Sequence, residues 1–277
     1  MGTEEQFRAA DGESLFARRW LAEHSKGALV LIHGYGEHCG RYDHVAAALN
    51  AISLHVYSYD QRGHGRSPGK RGHIASFAQL VDDLGGFLRH LEPEVAGLPL
   101  FLLGHSMGGL VLASFMEQQP AAVRGLVFTG TLLCLNNDVS PWLVRLSKVL
   151  STLTPGLPVA TVDPQALSRD ATVVHTYQAD PFVYHGKINA RTGAQLNEAM
   201  QDTQKHLKAI MAPLYILHGA ADRLAPAAGS ELLYKEAGAK DKTLRLYEGG
   251  YHEQFNDMEK ERVFAELCTW LQAHLAV

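Results

Sequence analysis

The stretch Pro99-Leu100-Phe101-Leu102-Leu103-Gly104-His105-Ser106-Met107-Gly108-Gly109-Leu110 decides how the chain is read. Residues 99–103 form a short unbroken apolar run, the pattern of a strand buried on both faces of a parallel sheet. Gly104 to Gly108 fits G-x-S-x-G, and Gly109 to Met116 reads as a buried helix reaching about Pro120. Strand, sharp turn and helix is the context in which such a serine serves as a nucleophile. The turn must lift the hydroxyl clear of the sheet, and Gly104 and Gly108 leave room for the backbone to fold that tightly. Ser106 then stands at a helix N-terminus, where free N–H groups and the dipole favour developing negative charge.

The flanking sequence repeats the alternation. Residues 5–21 read as a hairpin with Asp11-Gly12 at its turn. Strands are expected at 27–32, 54–59 and 125–129, and helices over about 41–50 and 76–91. Asp60 to Gly72 is a glycine-rich loop whose Lys70-Arg71, with Arg62 and Arg66, reads as solvated. The pattern resumes with strands at 213–218 and 242–247 and helices over 226–237 and about 257–273. Strands alternating with helices predict an α/β fold, a mostly parallel sheet covered on both faces, with function gathered at the carboxyl ends of the strands.

Between about Thr131 and His206 the alternation stops, and no strand is expected. Five prolines punctuate this segment, at positions 141, 155, 158, 164 and 181. On a helix over about 140–153, Trp142, Leu146, Val149, Leu150 and Leu153 share one face. That stripe admits two compatible readings: a helix packed on its own domain, or a lid covering a lipid-like substrate or meeting a membrane surface. The chain is therefore read as one domain, 1–277, with a mainly helical cap inserted at 131–206.

Composition narrows the function classes. With 46% hydrophobic residues, the 277-residue chain can bury a large core, and its formal charge of −4 gives no electrostatic case for nucleic acid. Cys39, Cys134 and Cys268 are odd in number and lack metal-ligand spacing, which points to a reducing compartment. The N-terminus has no basic and apolar signal pattern, and no stretch is long and apolar enough to span a bilayer. A cytoplasmic protein is expected, with at most a peripheral, transient membrane contact through the cap.

A serine hydroxyl needs a base to take its proton and a third group to orient that base. The expected chain order is Ser, then Asp or Glu, then His, each beyond a strand end. Asp222 follows the strand ending near His218-Gly219, and His252 follows the strand ending at Tyr247. Asp138, Asp163, Asp180, Asp202 and Asp241 are rival acids, ranked behind Asp222 by position. Among fifteen histidines, His218 reads as a core residue, His33 and His105 as shaping turns, and His38, His64 and His73 as loop residues. An oxyanion needs two convergent donors. Met107 N–H supplies one, and the turn His33-Gly34-Tyr35-Gly36 offers Tyr35 N–H as the other. That turn does not fit G-x-G-x-x-G, so a dinucleotide fold is disfavoured.

With these residues in place, nearly the whole chain resembles the monoacylglycerol lipases, serine hydrolases of the α/β-hydrolase fold. The likeness lies in residues 33–42, 60–67 and 104–109, in Ser168-Arg169-Asp170 and Tyr177-Gln178-Ala179-Asp180-Pro181, and in residues 218–224 and 247–253. It implies Ser106, Asp222 and His252 as the triad and Tyr35 and Met107 as oxyanion donors. It further implies that Glu37, Arg41 and Tyr177 hold the glycerol head, while a structural ion pair is the alternative for Glu37 and Arg41. An exposed Tyr35 where mammalian members carry a small residue narrows the site. Ala225 and Ala227 stand where animal members often have a cysteine. The implied activity is hydrolysis of monoacylglycerol to glycerol and fatty acid, with no metal or organic cofactor. A lysophospholipase or general short-chain carboxylesterase is the alternative on the same scaffold, because function lives in the pocket. An amidase or peptidase, and a ligand-binding protein on a degenerate hydrolase fold, are more distant readings. The intact Ser, Asp and His argue against the last.

Overall fold

The computed structural model describes residues 2–119, 121–135 and 150–276. Eight strands form the main sheet in the order β1-β2-β4-β3-β5-β6-β9-β10. They are β1 (Thr3–Arg8), β2 (Ser14–Trp20), β3 (Gly27–Ile32), β4 (Leu54–Tyr59), β5 (Leu100–His105), β6 (Gly125–Thr129), β9 (Leu214–Gly219) and β10 (Lys242–Tyr247). Only the β1–β2 and β2–β4 pairs are antiparallel. Among the described residues, the helices with both ends placed are α1 (Asp43–Ala51), α2 (Phe77–Val95), α3 (Met107–Gln118), α4 (Ala171–Ala179), α5 (Ala190–His206), α6 (Ala228–Glu236) and α7 (Lys260–Leu275).

The apolar runs form the inner strands because both of their faces are covered. Every residue of β3, β6 and β9 is buried. Successive side chains leave opposite faces. Val30 and Ile32 thus join Leu102, Leu110 and Phe87 on one side, while Leu29 and Leu31 join Leu103, Leu49 and Trp270 on the other. The edge strand β10, by contrast, leaves Arg245 and Leu246 exposed.

The segment between β6 and β9 departs from the expectation of no strand. Pro158–Ala160 (β7) and Ile188–Asn189 (β8) pair antiparallel as a small separate ribbon. Strands of three and two residues are too short to show an alternation in sequence. The helix expected over 140–153 lies mostly outside the described residues; its end, 150–153, is helical. No helix among the described residues is long and apolar enough to cross a membrane.

In the loop after β4, Arg66, Lys70 and Arg71 are exposed as expected, but Arg62 is not solvated. Arg62 forks onto Asp83 at 2.6 and 2.8 Å and reaches Asp11 at 2.7 Å. Arg71 donates to the carbonyls of Gly65, Ser67 and Gly69. Asp60 accepts from Cys39 N and Arg66 N, both at 2.8 Å, and so joins the loop after β3 to the loop after β4.

Candidate active site

Three strand ends bring the candidate residues together. β5 ends at His105, and Ser106 follows with φ +52° and ψ −117°, a left-handed conformation rare for a residue with a side chain. The neighbouring turn permits nothing larger than glycine on either side. A Cβ on Gly104 would lie 2.6 Å from Gly108 O, and one on Gly108 would overlap the carbonyl oxygens of Ile32 and His33. Ser106 N–H donates to Thr129 O at 2.9 Å, and Ser106 O accepts from Gly109, Leu110 and Leu132 N–H. The nucleophile turn is thereby bonded to the end of β6 and to the chain beyond it.

Asp222 follows β9. Its Oδ1 accepts from the N–H groups of Leu224 (2.8 Å) and Ala225 (3.0 Å), and its Oδ2 from His252 Nδ1 at 2.7 Å and His218 Nε2 at 3.0 Å. Burial alone would raise this carboxyl. The His252 charge and the hydrogen bonds from His218 and His252 outweigh it and hold the group well below the usual carboxylate range. Because an ionised carboxylate only accepts, His252 carries its proton on Nδ1 and leaves Nε2 as the acceptor. Burial pushes His252 down, but Asp222, and further off Glu253 and Glu37, raise it above its ordinary 6.5. Its ring lies 4.8 Å from that of His105, which burial and the His252 charge push down to about 4. Among the described residues no hydrogen bond joins Ser106 Oγ to His252; in enzymes without substrate such contacts are often long.

The turn after β3 approaches Ser106 from the other side: a Cβ on Gly34 would lie 3.2 Å from Ser106 Cβ. Gly34 N–H donates to Glu37 Oε1 at 2.6 Å, which fixes the His33–Gly34 peptide, one unit ahead of Tyr35 N–H. Neither Tyr35 N–H nor Met107 N–H has an acceptor among the described residues. The Tyr35 side chain is not exposed as expected. It is half-buried, its hydroxyl donates to Gly72 O at 2.7 Å, and its ring meets His64 and Tyr184 edge-on.

Glu37 and Arg41 form a closed network. Arg41 Nη1 reaches Glu37 Oε2 at 2.7 Å, and its two Nη atoms fork onto Glu253 at 2.6 and 2.8 Å. Glu37 Oε1 also accepts from Tyr42 OH at 2.7 Å. The guanidinium lies 4.8 Å from the ring centroid of Tyr177, so all three implied glycerol contacts share one cluster. The geometry of Glu37 and Arg41 is that of the ion-pair alternative.

The cap residues lock onto both loops of the site. Ser168 Oγ donates to Asn256 O, Arg169 pairs with Asp257, and Glu253 N–H donates to Leu167 O. Asp180 accepts from or pairs with His38 at 2.9 Å, Tyr184 N–H donates to Gly36 O, and His73 meets Asn189. His38 and His73 are loop residues as expected, but they also hold the cap. The rival acids are engaged elsewhere: Asp163 caps a turn, Asp202 meets Lys205 and Asp241 meets His274. Asp138 lies outside the described residues. Sequence reasoning gave no role to Glu253, although it adjoins His252, and assigned His218 to the core alone.

A sheet wound in this order, with its serine turn after the central β5, defines the α/β-hydrolases, and the chain is a hydrolase of that fold. The family described as serine aminopeptidase, S33, matches residues 23–259. The monoacylglycerol lipase of Mycolicibacterium smegmatis is 39% identical over 99% of this chain and 98% of its own. The human monoglyceride lipase is 34% identical over 96% of this chain and 89% of its own. The crystal structure of the Paleococcus ferrophilus monoacylglycerol lipase superposes with a TM-score of 0.85 at 35% identity, covering 94% of this chain and 99% of that one. The chain belongs to the monoacylglycerol lipase family.

Proposed function

We propose that this chain hydrolyses monoacylglycerols to glycerol and free fatty acid through Ser106, His252 and Asp222. The observation that carries the reading is the 2.7 Å bond from His252 Nδ1 to Asp222 Oδ2 beside a serine held at φ +52°. Ser106 Oγ attacks the ester carbonyl while His252 Nε2 takes its proton. Tyr35 N–H and Met107 N–H receive the oxyanion. His252 then gives the proton to the leaving glycerol oxygen, leaving an acyl-serine. Water attacks that ester with the same histidine as base, and His252 returns the proton to Ser106 Oγ as the acyl–oxygen bond breaks and the fatty acid leaves. The chemistry needs no metal or organic cofactor.

The substrate assignment is supported by the relatives, which carry the names monoacylglycerol and monoglyceride lipase over nearly the full chain. Tyr177, on the cap and over Arg41, is the candidate contact for the glycerol head, with Glu37 and Arg41 behind it. We read 131–206 as a cap inserted in a single domain 1–277. Exposed Leu153, Leu157, Val159 and Phe182 on that cap suit a transient contact with a lipid surface. Three free cysteines fit a cytoplasmic setting.

Fatty-acid release from 1-oleoylglycerol, lysophosphatidylcholine and triolein, side by side, tests the reading. Preference for the monoacylglycerol is expected, with Ser106→Ala lowering kcat roughly 10⁴-fold or more. Retained activity in that variant would remove Ser106 as nucleophile. Better turnover of the lysophospholipid would overturn the substrate and keep the mechanism.

A further inference from the structure

Arg41 stands where the loop carrying the oxyanion turn meets the loop carrying His252. Through Glu37 it reaches Gly34 N–H, one residue before Tyr35, and it bonds directly to Glu253, the residue after His252. We propose that Arg41 and Glu253 are positioning residues, a buried clasp that sets the place of His252 relative to the oxyanion turn. The proposal rests on the reading of Ser106, His252 and Tyr35 given above.

The contacts of the three groups argue for this role over a direct grip on glycerol. Both Nη atoms of Arg41 are engaged, and each Glu37 oxygen already accepts. Glu253 Oε2 accepts from Asn256 Nδ2 as well as from Arg41. The side chains are 10%, 4% and 5% exposed for Arg41, Glu37 and Glu253, so the network faces its own members more than it faces an entering substrate. A forked guanidinium also fixes orientation as well as distance, which a lysine cannot do.

Charge gives the clasp a second effect. The groups facing His252 are Asp222 from the loop after β9, His105 from the end of β5, Glu253 from its own loop, and Glu37 with Arg41 from the turn after β3. His105 is neutral near pH 7, so one guanidinium stands against three carboxylates. Protonating His252 during attack lowers that imbalance.

The test is kcat and KM of Arg41→Lys and Glu253→Gln on 1-oleoylglycerol and on p-nitrophenyl butyrate, which has no glycerol. The clasp predicts that Arg41→Lys loses kcat about 10- to 100-fold on both esters with KM little changed. It predicts that Glu253→Gln, close in shape and still able to accept from Arg41, moves the acidic limb of kcat/KM to lower pH on both. A loss confined to KM for 1-oleoylglycerol would overturn the proposal in favour of a glycerol contact. Unchanged kcat and pH midpoint with a lowered Tm would overturn it in favour of a purely structural pair. If Arg41→Lys does not fold, Glu253→Gln decides alone. Failure of the underlying reading looks different: wild type would not label at Ser106 with a fluorophosphonate.

Discussion

Asp222 Oδ2 is shared by two imidazoles, His252 Nδ1 at 2.7 Å and His218 Nε2 at 3.0 Å. Both contacts are donated to the carboxylate. His218 is held in turn by Ser230 Oγ, 2.7 Å from its Nδ1. The anchor of His252 is therefore itself anchored. His218→Phe removes one donor from Asp222 and the partner of Ser230 Oγ, and should lower kcat about tenfold with little change in KM. Steady-state kinetics on 1-oleoylglycerol check it, and an unchanged kcat would return His218 to the role of a packed core residue.

The close approach at the serine turn makes a sharp stability prediction. Gly108→Ala forces a Cβ into the carbonyls of Ile32 and His33, and should cost about 2–3 kcal/mol and abolish fluorophosphonate labelling of Ser106. Gly97 has φ +78° and no neighbour within reach of a Cβ, so Gly97→Ala should cost about 1 kcal/mol and label normally. Urea unfolding of the two variants compares them; equal losses would mean that the approach of β3 to the turn is unimportant.

These two sites differ in how far they could be read from sequence. The glycines, the serine and the strand-end placement of Asp222 and His252 are visible because a parallel strand buried on both faces is written as an apolar run. Glu253 is not, because its partner Arg41 lies 212 residues away and no periodicity reports such a pair. His218 is ambiguous for another reason: an imidazole inside an apolar strand carries the same signature whether or not it touches an acid. The same blindness made Arg62 read as solvated, since its partners Asp11 and Asp83 belong to the hairpin and to α2.

Glu37 should make the fold acid-sensitive. Burial would raise its carboxyl, but the charges of Arg41, His105 and His33 outweigh this and hold it at about 2, against an ordinary 4.5. A folded value below the unfolded one gives stability that is present above 4.5 and lost as pH falls towards 2. Glu37→Gln should lower stability at pH 7, where the Arg41 charge faces the carboxylate, and the gap to wild type should narrow between pH 4.5 and 2. A gap independent of pH would assign the effect to shape.

Glu117 on α3 has the opposite sign. Burial pushes it up to about 7 against some relief from His206 and with Asp202 adding to the rise, and its Oε2 is buried without a partner. This group costs stability as pH rises from 4.5 to 7. After allowance for solvent screening, Glu117→Gln should raise Tm by roughly 1–3 °C at pH 8 and leave it unchanged at pH 4. Equal Tm values at both pH extremes would show that the carboxylate finds water enough to stay ionised.

The φ of +52° at Ser106 sets two selective pressures against each other at one residue. Glycine adopts that conformation without a steric penalty, so Ser106→Gly should gain stability while destroying the nucleophile. A library of this chain screened for thermal resistance alone would therefore be enriched in dead enzymes at position 106. Any effort to harden the protein has to select for turnover at the same time.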